Sequence, residues 1–415
     1  MKRKWLGIAS AVVLGAGLLA GCSSNGGNNA GSSGGGKVTL KVGMWASSPA
    51  EKKLVDNQIA AFEKANPNIK VTEQVITGSY LQALQPMLAS KTAPDIFYVD
   101  AAYAPALEDS GVLAPLDDYI KKEKVDTADF APAAIDAFKW KGKLYGLPKD
   151  YNTMALEYNK DLFAKAGITA PPKTWDELIK DAELLKAKGI APLSMPIDVA
   201  RYYPLVKDFG GSYYDAKANK VTLDDKANEA GLKFFIDNMK AKNLVPPKDL
   251  GGDWAGVPFS QGKVAMALEG AWVLPFLKES APNLNYGIAD FPTANGNSVN
   301  MTYTVSYSMA KSTKNPDAAA KLLFFLTGKE AQKMTAESGL AIPARISQQE
   351  AFLNSNPEYK AFVNGVKEAV PYQFGTYGQN FVDAINKATE QGVLQGLEPS
   401  KVLSQAQKTV EEQSK

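Results

Sequence analysis

The 415-residue chain has no histidine and a single cysteine, Cys22. Without histidine it cannot build a Ser-His-Asp triad or a Cys-His dyad, and the usual zinc sites lose most of their ligands. One cysteine excludes a disulfide within the chain. No Gly-x-x-x-x-Gly-Lys-Ser/Thr loop occurs, so there is no P-loop. Neither a cofactor nor a metal is therefore expected. Arginine is scarce: only Arg3, Arg201 and Arg345 occur, and the first lies in the N-terminal leader. A phosphorylated ligand calls for several convergent arginines. A surplus of one charge is also missing, since 46 basic side chains face 44 acidic ones. That balance points away from nucleic acid as a partner. Beyond the leader, no apolar run is long enough to span a bilayer.

The length fits about two domains. Aromatic residues make up 10% of the chain, with 6 Trp and 17 Tyr, more than a core requires. The N-terminus reads as an export signal. Lys2, Arg3 and Lys4 precede an apolar stretch from Leu6 to Ala20, which ends in Leu19-Ala20-Gly21-Cys22. This resembles a bacterial lipobox, in which the cysteine is lipidated and residues 1–21 are removed; a plain signal peptide with an incidental cysteine is the alternative. Residues 22–36 are rich in Gly, Ser and Asn and read as a flexible tether.

From residue 37 the pattern is α/β. Val38–Met44 alternates as a strand, and Leu54, Val55, Ile59 and Phe62 then share one helical face up to Asn66-Pro67. A strand over Ile69–Ile76, a helix near Leu81–Ala89 and a buried strand ending at Val99 follow. Such alternation predicts a parallel sheet with right-handed crossovers. Thr174-Trp175-Asp176-Glu177 reads as a capping box, with Ile179, Ala182 and Leu185 on one face behind it and Gly189 as the stop. Asn315-Pro316 opens a helix that Gly328 closes, and the last 35 or so residues read as one or two helices.

Several blocks occur in order: Pro94-Asp95-Ile96-Phe97, Gly142 to Pro148, Tyr158-Asn159-Lys160-Asp161-Leu162, Pro171 to Leu178, Gly262 to Met266, Gly270-Ala271-Trp272 and Ala341 to Arg345. Together they resemble the family 1 extracellular solute-binding proteins of the maltose-binding-protein type. The resemblance implies a type II, periplasmic-binding-protein-like α/β fold: two lobes joined by a hinge, with a ligand cleft between them. It places residues 37–149 and 291–328 in one lobe and residues 150–290 and 329–415 in the other.

A sugar offers apolar ring faces and a hydroxyl rim, which aromatic rings and carboxylates, amides or Arg can grip. Trp45, Asp100 and Tyr103 follow strands at their carboxyl ends, where ligands of open α/β sheets bind. A capping core aromatic, a helix cap and simple packing are their respective alternatives. By the resemblance, Asp150-Tyr151-Asn152 stands at the first hinge. Asp198, Arg201 and Tyr202 match a second-lobe cleft loop, and Trp254 lies in a Gly-rich loop. Glu269 and Trp272 form the favoured pair, because a family Trp here commonly stacks on sugar. Asn300, Thr302 and Tyr303 either reach the cleft or pack on a strand. Arg345 either binds ligand or pins the C-terminal region by a salt bridge. Tyr372, Phe374 and Tyr377 resemble an aromatic sugar-stacking loop.

The expected function is that of an extracytoplasmic, lipid-anchored, monomeric, non-enzymatic receptor that hands an oligosaccharide to an ABC permease. A cleft for another solute (phosphorylated polyol, polyamine or peptide) is the nearest alternative. A secreted glycosidase drawing on Asp100, Asp150 and Glu269 and a purely structural or sensory lipoprotein stand further off.

Overall fold

The computed structural model describes residues 37–413 except 47, 48, 295, 297 and 298. Cys22, the leader and the whole tether lie outside the described residues. The chain from Lys37 onward folds around two main sheets, with two short two-stranded ribbons beside them. In the first main sheet, Val38–Met44 pairs in parallel with Ile69–Val75, from Val38 opposite Ile69 to Met44 opposite Val75, and on its other edge with Ile96–Asp100. The helix Pro49–Ala65 buries Val55, Ile59 and Phe62 beneath this sheet, the stripe expected from their spacing.

Apart from the short parallel strand Ala369–Pro371, the rest of this sheet is antiparallel, which the strand-helix alternation did not predict. Asn300–Met309 runs against Ile96–Asp100, and Gly146–Asn152 runs against Asn300–Met309. The reversal follows from the route of the chain: Asn300–Met309 enters from the opposite lobe rather than from a crossover helix on this sheet. The short strands Ile342–Pro343 and Ala369–Pro371 complete the sheet.

The second sheet has the order Leu244–Val245, Ala191–Ser194, Val264–Gly270, Met154–Asn159 and Tyr286–Ala289. Its central strand Val264–Gly270 is buried at every position, as expected of a strand covered on both faces. Leu156, Leu193, Met266 and Leu268 pack here with Trp175, Phe235, Phe381 and Val402. A separate core around Tyr151, Ala155, Phe259, Ile342 and Phe362 draws on strands of both sheets.

The chain passes between the sheets at Asn152–Met154, between Ala289 and Asn300, and after Pro371. The first two crossings are tied side by side: Asn300 Oδ1 accepts the Met154 amide at 3.0 Å, and Asn300 Nδ2 donates to the Met154 carbonyl at 2.7 Å. Asn300 is thus a hinge clamp rather than a cleft residue. Thr302 is also fully buried.

The capping box forms one residue out of register. Thr174 Oγ1 accepts the Glu177 amide at 3.1 Å, but Glu177 reaches back to the amide of Lys173, at 2.7 Å. Gly328 does not end its helix in a left-handed turn. Its φ of −78° and ψ of 170° are extended, and it starts the next helix, Lys329–Ser338. The C-terminus forms two helices, Gly378–Gln395 and Pro399–Gln413. Among the described residues no helix is long and apolar enough to cross a membrane.

Candidate functional site

A cleft of about 1040 Å³ opens between the two sheets, and both contribute to its wall. On the first side Trp45 stands at the carboxyl end of its strand, wedged edge-on against Tyr80 and Tyr98 with ring centroids 4.7 and 4.9 Å away. Asp100 ends the next strand. Its Oδ1 accepts the amide of Ala102 at 2.8 Å, so it caps the turn and lines the cleft at once. Burial, reinforced by nearby Asp150 and opposed by the Ala102 amide, pushes its carboxyl up to about 6.

Lys149, Asp150 and Asn152 join this wall. In an even ladder successive side chains alternate between faces. Here Asp150 pairs with Val305 and Pro148 with Ser306, leaving Lys149 as the extra residue of a bulge. The bulge lets both Lys149 and Asp150 reach the cleft. Lys149 Nζ contacts Asp150 Oδ2, lies 3.5 Å from Glu51 Oε1 and sits 5.0 Å from the Tyr98 ring centroid. Burial works against the ammonium charge, but Asp150 and Glu51 outweigh it and raise its pKa. After the bulge alternation resumes. Tyr151 turns into the junction core with no exposure, so it is not a ligand contact, whereas Asn152 faces the cleft.

On the second side Asp198 caps the helix Val199–Asp208, accepting from the Ala200 amide at 3.0 Å and from Asn386 Nδ2 at 2.9 Å. Arg201, one turn on, donates Nε and Nη2 to Glu269 Oε2 at 3.2 and 2.9 Å. The same oxygen accepts from Trp272 Nε1 at 3.1 Å. Trp272 folds its ring over Gly270: a Cβ at that glycine would lie 2.2–2.6 Å from three ring atoms. Trp272 meets Tyr303 edge-on at 5.4 Å, and Tyr303 lies 5.5 Å from Tyr372 at a 41° tilt. The three rings form an aromatic corner. Arg201 covers its inner edge, 5.2 Å from the Trp272 centroid and 5.7 Å from that of Tyr303.

Trp45, Asp100, Asp150, Asn152, Arg201, Trp272, Tyr303 and Tyr372 therefore share one wall surface. Glu269 is fully buried just behind it. The remaining sequence candidates stand elsewhere, each for a physical reason. Tyr103 packs against the first core with its hydroxyl buried and unpartnered. Tyr202, adjacent to Arg201 on a helix, points the other way, stacks on Phe235 at 4.6 Å and pairs its hydroxyl with Thr389 at 2.9 Å. Trp254 packs edge-on against Phe276 at 4.8 Å, and it is Phe276 that reaches the cleft. Phe374 stacks on Phe381 at 4.1 Å, and Tyr377 donates to the Asn219 carbonyl at 3.2 Å. Arg345 takes the salt-bridge alternative. It donates to the carbonyls of Thr327 (2.7 Å) and Asp126 (3.1 Å), pairs with Asp129 Oδ2 at 3.2 Å and stacks on Phe130.

The sequence reading missed Glu51, Tyr98, Lys149, Phe276, Glu279 and Gln379, all on the cleft wall. Only Tyr98 carried a local signal, being next to Asp100 in a strand already assigned to the cleft. Among the described residues no group of three or more His, Cys, Asp or Glu side chains is arranged to hold a metal ion. What the wall can do is stack flat rings on an apolar face and exchange hydrogen bonds with a hydroxylated rim.

Known proteins share this plan. A binding protein of Brucella abortus strain 2308 is 31% identical over 325 residues, covering 72% of this chain and 71% of that protein. The arabinooligosaccharide-binding protein of Bacillus subtilis strain 168 is 24% identical over 329 residues, 75% of this chain and 73% of the relative. An ABC substrate-binding protein of Listeria monocytogenes, solved in complex with cycloalternan, has a TM-score of 0.81 at 24% identity and covers 91% of this chain and 99% of its own. The family of bacterial extracellular solute-binding proteins matches residues 45–333, a stretch that carries the whole second sheet, four of the seven strands of the first and most of the cleft wall. With that match and the Brucella relative, the chain belongs to the bacterial extracellular solute-binding proteins.

Proposed function

We propose that the solute is an oligosaccharide and that a lipid on Cys22 holds the protein at the membrane surface. Membership of the family makes the chain the extracytoplasmic binding component of an ABC importer, not an enzyme. The observation that carries the carbohydrate reading is the aromatic corner of Trp272, Tyr303 and Tyr372 facing Asp100, Lys149 and Asp150 within one cleft. Flat rings suit sugar faces, and carboxylates accept hydroxyl protons in pairs. The cleft volume leaves room for more than one sugar ring. The B. subtilis relative named for arabinooligosaccharides and the L. monocytogenes protein holding cycloalternan support the same reading.

The mechanism is a hinge. Contacts from both sides of the cleft favour a closed state, and the lobes turn about the three crossings, two of which Asn300 ties together. The closed monomer then docks on its permease. The test is intrinsic tryptophan fluorescence during titration with malto-, arabino- and xylo-oligosaccharides. Trp45 and Trp272 both line the cleft, so a saturable change is expected. If every sugar in the panel leaves the emission unchanged, the carbohydrate reading is wrong.

A further inference from the structure

Both cations on the cleft wall are already paired with carboxylates. Arg201 is held by Glu269 Oε2 at 2.9 and 3.2 Å, and Lys149 lies between Asp150 and Glu51. The wall carries five carboxyl groups (Glu51, Asp100, Asp150, Asp198 and Glu279) against these two cations. Glu269 is a sixth carboxyl group, with no exposure of its own. Resting on the carbohydrate reading above, we propose that Glu269 is a charge-selectivity residue acting through Arg201. It cancels the guanidinium from beneath, so that the cleft takes oligosaccharides that carry no carboxylate or phosphate.

The argument is one of competition. A carboxylate or phosphate on the ligand gains from Arg201 only to the extent that it displaces Glu269, which is covalently fixed in a buried strand and cannot leave. What Arg201 retains is hydrogen-bonding capacity, which suits a hydroxyl or ring oxygen. The ligand anion would meanwhile face the surplus of wall carboxylates, and like charges brought together in a desolvated cleft repel strongly. Burial opposes the charge on Arg201, but Glu269 outweighs it and keeps the guanidinium protonated, so the cancellation is an ion pair. Glu157 accepts the Glu269 amide at 3.2 Å. Burial, together with the Glu269 charge, pushes the Glu157 carboxyl well above the usual range, which disfavours a second negative charge beneath the platform.

The decisive probe is a matched pair made from whichever neutral oligosaccharide of the panel binds best: its reduced alditol and its oxidised aldonate. Both have an opened terminal ring, and they differ in charge. Wild type is expected to bind the alditol at least about tenfold more tightly than the aldonate. Glu269→Gln keeps an oxygen for Arg201 and Trp272 but removes the charge, and is expected to shrink that preference to about twofold or invert it. Glu269→Asp, which restores the charge, should restore the preference. Should Glu269→Gln fail to fold, Asp150→Asn removes the nearer of the two carboxylates that offset Lys149 on the opposite wall and is expected to narrow the gap likewise. Equal binding of the two probes by wild type, or an unchanged gap in a folded Glu269→Gln protein, overturns the proposal. If no neutral oligosaccharide binds, it is the carbohydrate reading that fails. Charge selectivity is then read from thermal shifts with trigalacturonate and glycerol 3-phosphate: rejection of both by wild type supports it, and binding of either overturns it.

Discussion

Among the described residues two glycines lie under tryptophan rings, and of those rings Trp272 lines the cleft and Trp254 does not. A Cβ at Gly270 would come within 2.2, 2.4 and 2.6 Å of the Trp272 ring, and one at Gly256 within 2.3, 2.4 and 2.8 Å of the Trp254 ring. Real Cβ atoms do not approach so closely, so Gly270→Ala and Gly256→Ala must each push an indole aside by a similar amount. The consequences should differ. Moving Trp272 breaks its edge contact with Tyr303, its contact with Arg201 and its hydrogen bond to Glu269 Oε2. Such contacts are worth about 0.5–1.5 kcal/mol for the aromatic pair, about 1–2 for the cation–π contact and about 1.5–3 for the charged hydrogen bond. They share partners and do not add. A loss of about 3 kcal/mol in platform rigidity corresponds to roughly a hundredfold weaker ligand binding. Moving Trp254 disturbs its packing on Phe276 and lowers stability, leaving affinity within about threefold. The assay is fluorescence or calorimetric titration of both variants with the best-binding oligosaccharide, alongside thermal melts. If Gly270→Ala binds as wild type does while Gly256→Ala weakens binding, the placement of the platform is refuted.

Two further outcomes follow from buried charge. Arg345→Ala leaves the carbonyls of Thr327 and Asp126 without their guanidinium donor and takes one partner from Asp129, which keeps its hydrogen bonds from the Ser347 amide and hydroxyl; two orphaned acceptors cost about 3–5 kcal/mol together. At the unfolding entropy typical per residue this lowers the melting temperature by roughly 5 °C; ligand affinity should hold, and an affinity loss without a stability loss would make Arg345 a ligand contact after all. Asp100 has a folded pKa near 6 against an ordinary value of 3.8. The native state therefore binds this proton more tightly than the unfolded chain, and its contribution to stability falls as pH rises from about 4 to about 6. The ionised group then costs at most about 3 kcal/mol. Asp100→Asn, whose amide oxygen can still take the Ala102 proton, should be more stable than wild type above pH 6 and no more stable below pH 4. Chemical denaturation at pH 4 and pH 7.5 checks the crossover.

Much of the architecture was legible because it rests on local periodicity. The apolar stripe of Val55, Ile59 and Phe62, the buried run of Ile96–Val99 and the stop at Asn66-Pro67 each fix an element within a few residues. The antiparallel half of the first sheet was not legible, because direction depends on where Asn300–Met309 comes from, a property of the whole chain path. Gly328 does close the helix Pro316–Leu326, as its place after the apolar stripe predicts, but not by the usual turn. A glycine after an apolar helix commonly marks a left-handed stop, yet here the next helix begins at once and uses it in extended form.

The site divides along the same line. Trp45 and Asp100 were recoverable from strand ends alone, whereas Trp272 and Tyr372 needed family resemblance. Two of the errors arise where adjacent residues were assigned to the same face. Arg201 and Tyr202 are neighbours on a helix, some 100° apart, so when one enters the cleft the other enters the core. Asp150-Tyr151-Asn152 lies on a strand, where alternation alone removes Tyr151. Those two misses could have been avoided from the sequence once the elements were assigned. Lys149 could not. By alternation from Asp150 it belongs on the far face, and only the slip between Val305 and Ser306, residues more than 150 positions later in the chain, turns it toward the ligand side. The cation that meets Asp150 and Glu51 in the cleft is thus placed by a pairing between distant strands, and no local pattern around Pro148 encodes it.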